Sequence, residues 1–166
     1  MKLYIRLFMN YRISLCCAIL LLTLNSCGPD YIFEKTYQLE ADTWTYADSL
    51  VFEVDVEDTL KIYNLYLYLE HHTDYSFQNL YTKINTRFPS GQQISETLSL
   101  ELQHKSGMWL GDCGRTYCEL RIPIQEGAYF NSAGQHTIVV NQHMRTDSIK
   151  GVKSLSLRIE DTGESR

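Results

Sequence analysis

The chain has 166 residues, of which 15 are basic and 20 are acidic, giving a formal net charge of −5. This length and a hydrophobic content of 44% fit one globular domain with a sizeable core. The acidic balance argues against nucleic acid as a partner and supplies no basic patch for anionic lipid. Any attachment to a membrane must therefore come from something other than charge.

The beginning of the chain predicts a lipoprotein signal peptide over residues 1–26. Lys2, Arg6 and Arg12 precede an apolar run over 13–24, which is shorter than the roughly 20 residues that a spanning helix needs. The run ends in Leu-Asn-Ser-Cys, an aliphatic residue and two smaller ones before a cysteine, which is the order of a lipobox. An ordinary signal peptide with a coincidental cysteine and an uncleaved anchor are the alternatives.

Cys27 is the expected lipidation site and the first residue of the mature chain. Covalent diacylglycerol and an N-acyl group would hold the protein to the membrane more firmly than one acyl chain; no other cofactor is expected. Loss of the first 26 residues removes three bases and no acid, so the net charge becomes −8. Gly28 follows, instead of the aspartate that retains many lipoproteins at the inner membrane. We therefore expect an outer-membrane lipoprotein facing the periplasm.

Cys113 and Cys118 are then the only pair of thiols in the mature chain, because Cys16 and Cys17 leave with the signal peptide. An exported, oxidising setting favours pairing. Four intervening residues that include a glycine let a tight turn bring the two Cα atoms within the ~7 Å that a disulfide requires. We expect a disulfide here, and the alternative is two separate thiols.

The mature sequence predicts an all-β fold. Short segments between turn signals alternate apolar and polar residues with the period of a strand. The expected inward-facing residues are Leu50, Phe52, Val54, Val56, Leu98, Leu100, Leu102, Leu120, Ile122, Ile124, Leu155, Leu157 and Ile159. Further strands are expected near 76–84 and 136–144, and Pro123 indicates an edge strand. Seven or eight strands predict a single β-sandwich over 49–162, jelly-roll or immunoglobulin-like, preceded by the lipidated cysteine and a tether over 27–48.

One segment, 62–70, is apolar on both faces, with leucines on one side and Tyr66 and Tyr68 on the other. Such a strand is either central or presents a functional aromatic face. Tyr66, Tyr68 and Trp109 are the candidate partner or ligand surface. Contact with a protein is the preferred role of the tyrosines, with glycan stacking and plain core packing as alternatives. Trp109, in a glycine-rich loop, is expected rather to plug one end of the sandwich.

The sequence predicts neither an enzyme nor a metal site. His71 and His72 are neighbours on one strand, so their side chains point to opposite faces. Zinc-type spacings of cysteine and histidine are absent from the sequence. The serines lack the Gly-x-Ser-x-Gly elbow of a hydrolase.

Four segments, taken in order, resemble the gliding-motility lipoprotein GldH family: WTYADSLVFEVDVED, YNLYLYLEHHTDYSFQNLY, GMWLGDCGR and NQHMRTDSIKGVKSLSLRIE. The resemblance covers the mature chain and includes the lipobox cysteine, whereas the two cysteines of GDCGRTYC depart from the family pattern. It implies a non-enzymatic accessory or scaffold lipoprotein of the cell envelope. The implied partners are other envelope lipoproteins of the gliding machinery and of the type IX secretion system coupled to it.

Overall fold

The structure, a computed structural model, describes residues 28–166. The signal peptide and the lipidation site expected at Cys27 lie outside the described residues. The strands are β1 (Asp30–Gln38), β2 (Thr43–Thr45), β3 (Leu50–Val56), β4 (Lys61–His72), β5 (Asn79–Arg87), β6 (Gln93–Glu101), β7 (Asp112–Cys113), β8 (Tyr117–Ala128), β9 (Gly134–Gln142), β10 (Ser148–Lys150) and β11 (Val152–Ser165). A short 3-10 turn, Glu40–Asp42, joins β1 to β2.

The long strands form two antiparallel sheets that pack face to face. The larger sheet has the order β1-β11-β4-β8-β7 and the smaller one β3-β9-β5-β6, while β2 and β10 form a separate two-stranded ribbon. Along the chain, each long strand is followed by a long strand of the other sheet. The exception is β5, which is followed by β6 in the same sheet. This is the strand order of a jelly roll. The predicted all-β sandwich is confirmed, and of the two expected topologies it has the jelly-roll one.

The core consists of the side chains that the two-residue alternation points inward. Nearly all of them on β3, β6 and β11 are buried, including Phe52, Val54, Leu100, Leu155, Leu157 and Ile159, and Leu102 directly after β6 is buried too. Leu67 and Leu69 of β4 lie opposite Leu157 and Leu155 of β11. Each such side chain stabilises the fold by about 1.5–3 kcal/mol on burial. The apolar alternation therefore fixes which face of each strand points into the sandwich.

Pro123 lies at an edge of the larger sheet, as the sequence predicts. β8 pairs with β4 along its length, with Pro123 opposite Tyr66. On its other side, β7 covers only Cys118 and Glu119. Because proline has no N–H to donate to a ladder, it is tolerated where one side of the strand is unpaired.

The segment predicted as a tether is part of the sandwich instead. Strand β1 pairs with β11 from Asp30 opposite Asp161 to Gln38 opposite Ser154. Trp44 of β2 is fully buried. The boundary expected at 48 is therefore wrong, and only Gly28 and Pro29 separate the cysteine at position 27 from the first strand.

Aromatic packing explains why this segment joins the sheet. The rings of Phe33 and Tyr37 lie edge-on to Phe52 of β3, with centroids 6.4 and 5.3 Å away. T-shaped pairs of this kind add about 0.5–1.5 kcal/mol beyond the area they bury. The aromatic residues of the lead-in thus cover one side of the core.

Candidate partner-binding surface

The outer face of the larger sheet carries the tyrosines that the sequence singles out. Tyr66 and Tyr68 of β4 point away from the inward-facing leucines, because successive side chains of a strand alternate between faces. In register, Tyr66 lies opposite Arg158 of β11, and Tyr68 lies opposite Arg121 of β8. Tyr31 of β1 joins them through its hydroxyl, 3.1 Å from that of Tyr68. We call this set, Tyr31, Tyr66, Tyr68, Arg121 and Arg158, the tyrosine–arginine face.

Each arginine of this face lies over a tyrosine ring. The guanidinium carbon of Arg121 is 3.8 Å from the ring centroid of Tyr66. That of Arg158 is 3.9 Å from Tyr68 and 5.6 Å from Tyr31. Cation–π contacts at such distances contribute about 0.5–1 kcal/mol each when exposed. The arginines therefore cover the rings, and Tyr66 is only 3% exposed.

Carboxylates complete the network around the rings. The hydroxyl of Tyr66 donates to Glu126 Oε1 at 3.1 Å. Nε of Arg158 lies 2.8 Å from Glu34 Oε1. Burial raises the pKa of Tyr66, with the hydrogen bond to Glu126 as the next cause, so the phenol stays neutral and remains a donor.

Arg121 is the member of the face that is best placed to meet a partner. Its side chain is 52% exposed, and its nearest carboxylate oxygen, on Glu160, is 4.0 Å away. A guanidinium presents five N–H donors in a fixed fork that matches a carboxylate. The exposed half of the Arg121 side chain can thus meet an acceptor from outside the chain.

The face becomes acidic at one end. Glu70 lies opposite Glu119, which in turn lies opposite Asp112. Like charges placed opposite each other destabilise a sheet. Lys153 offsets part of this repulsion, since its Nζ is 2.8 Å from Glu70 Oε1. A partner would therefore meet guanidinium groups at the centre of the face and carboxylates at its end.

Trp109 is not part of the tyrosine–arginine face. Its Nε1 donates to the carbonyl oxygen of Thr73 at 2.8 Å, and its ring centroid is 4.8 Å from that of His71. His71 is fully buried, and this burial lowers the pKa of its imidazole. Trp109 thus packs over the end of the core. Tyr66 and Tyr68 lie instead on the outer face of the larger sheet.

The structure joins Cys113 to Cys118 by a disulfide across the β7–β8 turn. The two residues are register partners, with Cα atoms 4.0 Å apart. The N–H of Gly114 donates to the carbonyl oxygen of Tyr117 at 2.8 Å and closes the turn. The cysteines therefore hold a local hairpin beside the acidic end of the tyrosine–arginine face.

A second exposed aromatic surface escapes sequence reasoning. Tyr46, Phe77 and Tyr81 are 48%, 39% and 44% exposed around Met144. The hydroxyl of Tyr46 donates to the carbonyl oxygen of Met144, and the N–H of Tyr81 lies 3.3 Å from its sulfur. The alternation in β5 places Tyr81 outward, but the sequence does not indicate that Met144, 63 residues later, would meet it.

Two further properties belong to the part of the chain that the structure describes. Between residues 28 and 166, no group of three or more histidine, cysteine, aspartate or glutamate side chains is placed to hold a metal ion. Nor does this range contain a helix with the length and apolar character to cross a membrane.

His72 has a carboxylate at each ring nitrogen, with Asp42 Oδ2 2.7 Å from Nε2 and Asp74 Oδ1 3.6 Å from Nδ1.

The model of the GldH lipoprotein family matches residues 31–159. The gliding motility lipoprotein GldH homolog of Christiangramia forsetii is 27% identical over 148 residues, covering 84% of this chain and 90% of that one. The gliding motility lipoprotein GldH of Flavobacterium johnsoniae is 26% identical over 158 residues, covering 91% and 96%. A solved structure of TmCBM61 with beta-1,4-galactotriose is 12% identical and covers 81% of this chain and 82% of its own, with a TM-score of 0.29 that is too low to bear on fold or ligand. The match of the family model over most of the sequence shows that the chain belongs to the GldH lipoprotein family.

Proposed function

We propose that the chain is a lipid-anchored accessory protein of the gliding machinery and of the type IX secretion system coupled to it. Membership of the GldH family and relatives named as gliding motility lipoproteins support the link to gliding. The lipobox ending in Cys27 supports a lipid anchor, and Gly28 in place of the aspartate that retains lipoproteins at the inner membrane favours the outer membrane, with the domain in the periplasm. The partners would be other envelope lipoproteins of the same machinery.

The tyrosine–arginine face carries the proposed scaffold role. Tyrosine and arginine are the residue types that most often dominate the energetics of protein interfaces. Here they lie on a sheet, already held by stacking and hydrogen bonds, so little side-chain freedom is lost when a partner docks. The half-exposed Arg121 would pair with a partner's carboxylate, which gives the contact direction and specificity.

We also propose that the protein acts without catalysis. The arrangement closest to a catalytic one is Asp42 with His72, at 2.7 Å. The other ring nitrogen of His72 lies 3.6 Å from the exposed Asp74 Oδ1, and over residues 28–166 no serine, threonine or cysteine side chain is hydrogen-bonded to the ring as a nucleophile would be. The pair instead ties the 3-10 turn to the end of β4, with Tyr117 donating to the same Asp42 oxygen at 3.0 Å.

The test is affinity purification of the tagged, lipidated protein from crosslinked envelopes. We compare wild type with Arg121→Glu and with Lys83→Glu, an exposed position on the smaller sheet that makes the same change in charge. Wild type and Lys83→Glu should recover a component of the gliding motor or of the secretion system, and Arg121→Glu should lose it. Recovery of neither component by wild type would refute the function, and equal recovery by Arg121→Glu would refute the surface.

Membrane attachment is tested separately with Cys27→Ala. This variant should move from the membrane fraction to the soluble fraction while keeping the melting temperature of the domain, because the sandwich begins three residues later. If the Cys27→Ala chain had lost its signal peptide and still fractionated with membranes, the anchor would lie elsewhere.

A further inference from the structure

One side of the sandwich is closed by contacts between its two sheets. Lys35 Nζ and the hydroxyl of Tyr37, both on β1, donate to the carbonyl oxygen of Val51 on β3 at 2.9 and 2.6 Å. β1 also carries a register irregularity between Tyr31 and Phe33. Lysines, bulges and occupied backbone groups are the usual protections of a sheet edge against further pairing. The edges β1 and β3 are thus protected.

The opposite side of the sandwich has the edges β8 and β6, and only β8 is protected. Pro123 interrupts the donors of β8, and β7 covers its beginning. Strand β6 has nine residues without proline, glycine or lysine. Its register with β5 runs unbroken from Gln93 opposite Arg87 to Glu101 opposite Asn79. β6 is therefore a long, straight edge without the proline, lysine or bulge that protects many edges, and its only charged side chains are those of Glu96 and Glu101.

The free backbone groups of β6 can be assigned from the ladder. The N–H of Leu102 donates to the carbonyl oxygen of Gln78, and that of Phe88 to Gln92, both at 2.9 Å. In an antiparallel pair the bonded positions alternate. Even-numbered residues of β6 therefore bond to β5, and the N–H and C=O groups of Ser95, Thr97 and Ser99 point away from the sheet.

A cleft of about 340 Å³, lined by both apolar and polar side chains, lies between the sheets next to this edge. Its walls include Ile94 of β6 and Ile124 of β8, and Ile94 is 41% exposed. At its base the buried ring of His136 lies edge-on to Phe130 and Phe88, with centroids 4.9 and 5.8 Å away. The cleft can take one aliphatic side chain next to an unpaired strand edge.

Glu96 gives the cleft a charge that the described residues leave uncompensated. Its side chain faces the cleft from β6, two residues after Ile94. None of the ion pairs found over residues 28–166 includes it. A carboxylate beside apolar surface favours a basic group as its neighbour.

From these three features we propose that β6 binds an extended segment of a partner protein as an additional antiparallel strand. The segment's backbone pairs with Ser95, Thr97 and Ser99. One of its aliphatic side chains enters the cleft beside Ile94, and a lysine or arginine on the same face lies beside Glu96. Backbone pairing with pockets for alternate side chains is the general mode of strand addition. This surface is separate from the tyrosine–arginine face. Strand addition at β6 can therefore be refuted without affecting the role proposed for that face, and the reverse also holds.

The test measures fluorescence anisotropy of a labelled nonapeptide with full-length lipidated protein in nanodiscs. The peptide alternates threonine and valine, with one valine replaced by lysine, and a matched peptide has norleucine at that position. We expect saturable binding to wild type and to Thr97→Val. Thr97→Pro removes one edge N–H and should weaken binding about tenfold. Glu96→Gln should remove a preference of about threefold for lysine over norleucine.

A modified peptide keeps the test independent of variant folding. N-methylation of the peptide residues whose N–H groups face β6 should abolish binding, and methylation of the alternate set should not. Unchanged binding of the peptide methylated at the N–H groups that face β6, loss of binding by the peptide methylated at the alternate set, or unchanged binding to Thr97→Pro would overturn the proposal, as would absence of saturable binding. Equal binding to empty nanodiscs would assign the peptide to lipid and overturn it. A wild-type dimer in sedimentation that Thr97→Pro converts to monomer would assign the edge to a second copy, also against the proposal.

Discussion

Gly111 should be the least replaceable glycine of the domain. Its φ is +87°, and a Cβ built on it would lie 2.3 Å from the carbonyl oxygen of Glu119 and 3.0 Å from the Cα of Leu120. Both neighbours are backbone atoms of β8, which is held by β4 and cannot rotate away. Gly111→Ala must therefore strain its own backbone and also push two chain segments apart.

The two costs can be separated with Gly107, four residues earlier. Its φ is +88°, yet a Cβ there would meet nothing within 4 Å. Gly107→Ala should cost only the left-handed backbone, about 1–2 kcal/mol. Gly111→Ala adds the displacement of packed backbone, about 1–3 kcal/mol more. A difference of that size corresponds to a fall in melting temperature of roughly 3–15 °C below the Gly107 variant.

Urea unfolding of the two alanine variants and wild type, with the disulfide intact, gives the three free energies of unfolding. The expected order is wild type, then Gly107→Ala, then Gly111→Ala. Equal free energies of unfolding for the two variants would refute the argument, because it would mean that the approach of Gly111 to β8 has no cost. An unchanged urea dependence of the unfolding free energy would confirm that the variants differ in stability and not in compactness.

The remaining predictions concern the disulfide and the buried histidine. Reduction of Cys113–Cys118 should lower the free energy of unfolding by about 2 kcal/mol and leave the strand content intact in circular dichroism, because the bond closes a very short loop; an unchanged urea midpoint would contradict this. Burial lowers the pKa of His71 below its unfolded value of 6.5, so the unfolded chain takes up the proton first as the pH falls. Stability in thermal melts should therefore decline below pH 6.5 until the folded pKa is passed, and His71→Phe should reduce that slope; an identical slope in the variant would show that other groups cause it.

The strands that sequence reasoning locates are those with one apolar face against the core. β3 is predicted within its observed limits, because Leu50 to Val56 alternate without interruption. β1 is missed, because a register irregularity between Tyr31 and Phe33 breaks the two-residue period. Most of its other side chains are exposed, as expected for an edge strand. A segment with a broken two-residue period and many polar residues is easily interpreted as a tether when the strand with which it pairs is unknown.

The candidate surface is only half predictable for a similar reason. The alternation in β4 indicates an outward tyrosine face, but the arginines that cover it come from β8 and β11. Their places over Tyr66 and Tyr68 follow from pairing register, which depends on contacts between distant parts of the chain. The same holds for Ala41 and Asp42, whose φ values of +50° and +49° have no glycine to signal them.

The position of β1 has a mechanical consequence. Because Asp30 follows three residues after Cys27, tension on a lipid anchor at that cysteine would enter the domain at the start of β1 and run along the strand. The hydrogen bonds to β11 lie across that direction, so the ladder from Asp30 to Gln38 would be loaded in shear. In shear the bonds share the load, whereas in unzipping they would break one after another. Strand β11 then passes the load to β4, which carries Tyr66 and Tyr68. A force between membrane and partner would thus cross three neighbouring strands of one sheet without passing through a loop.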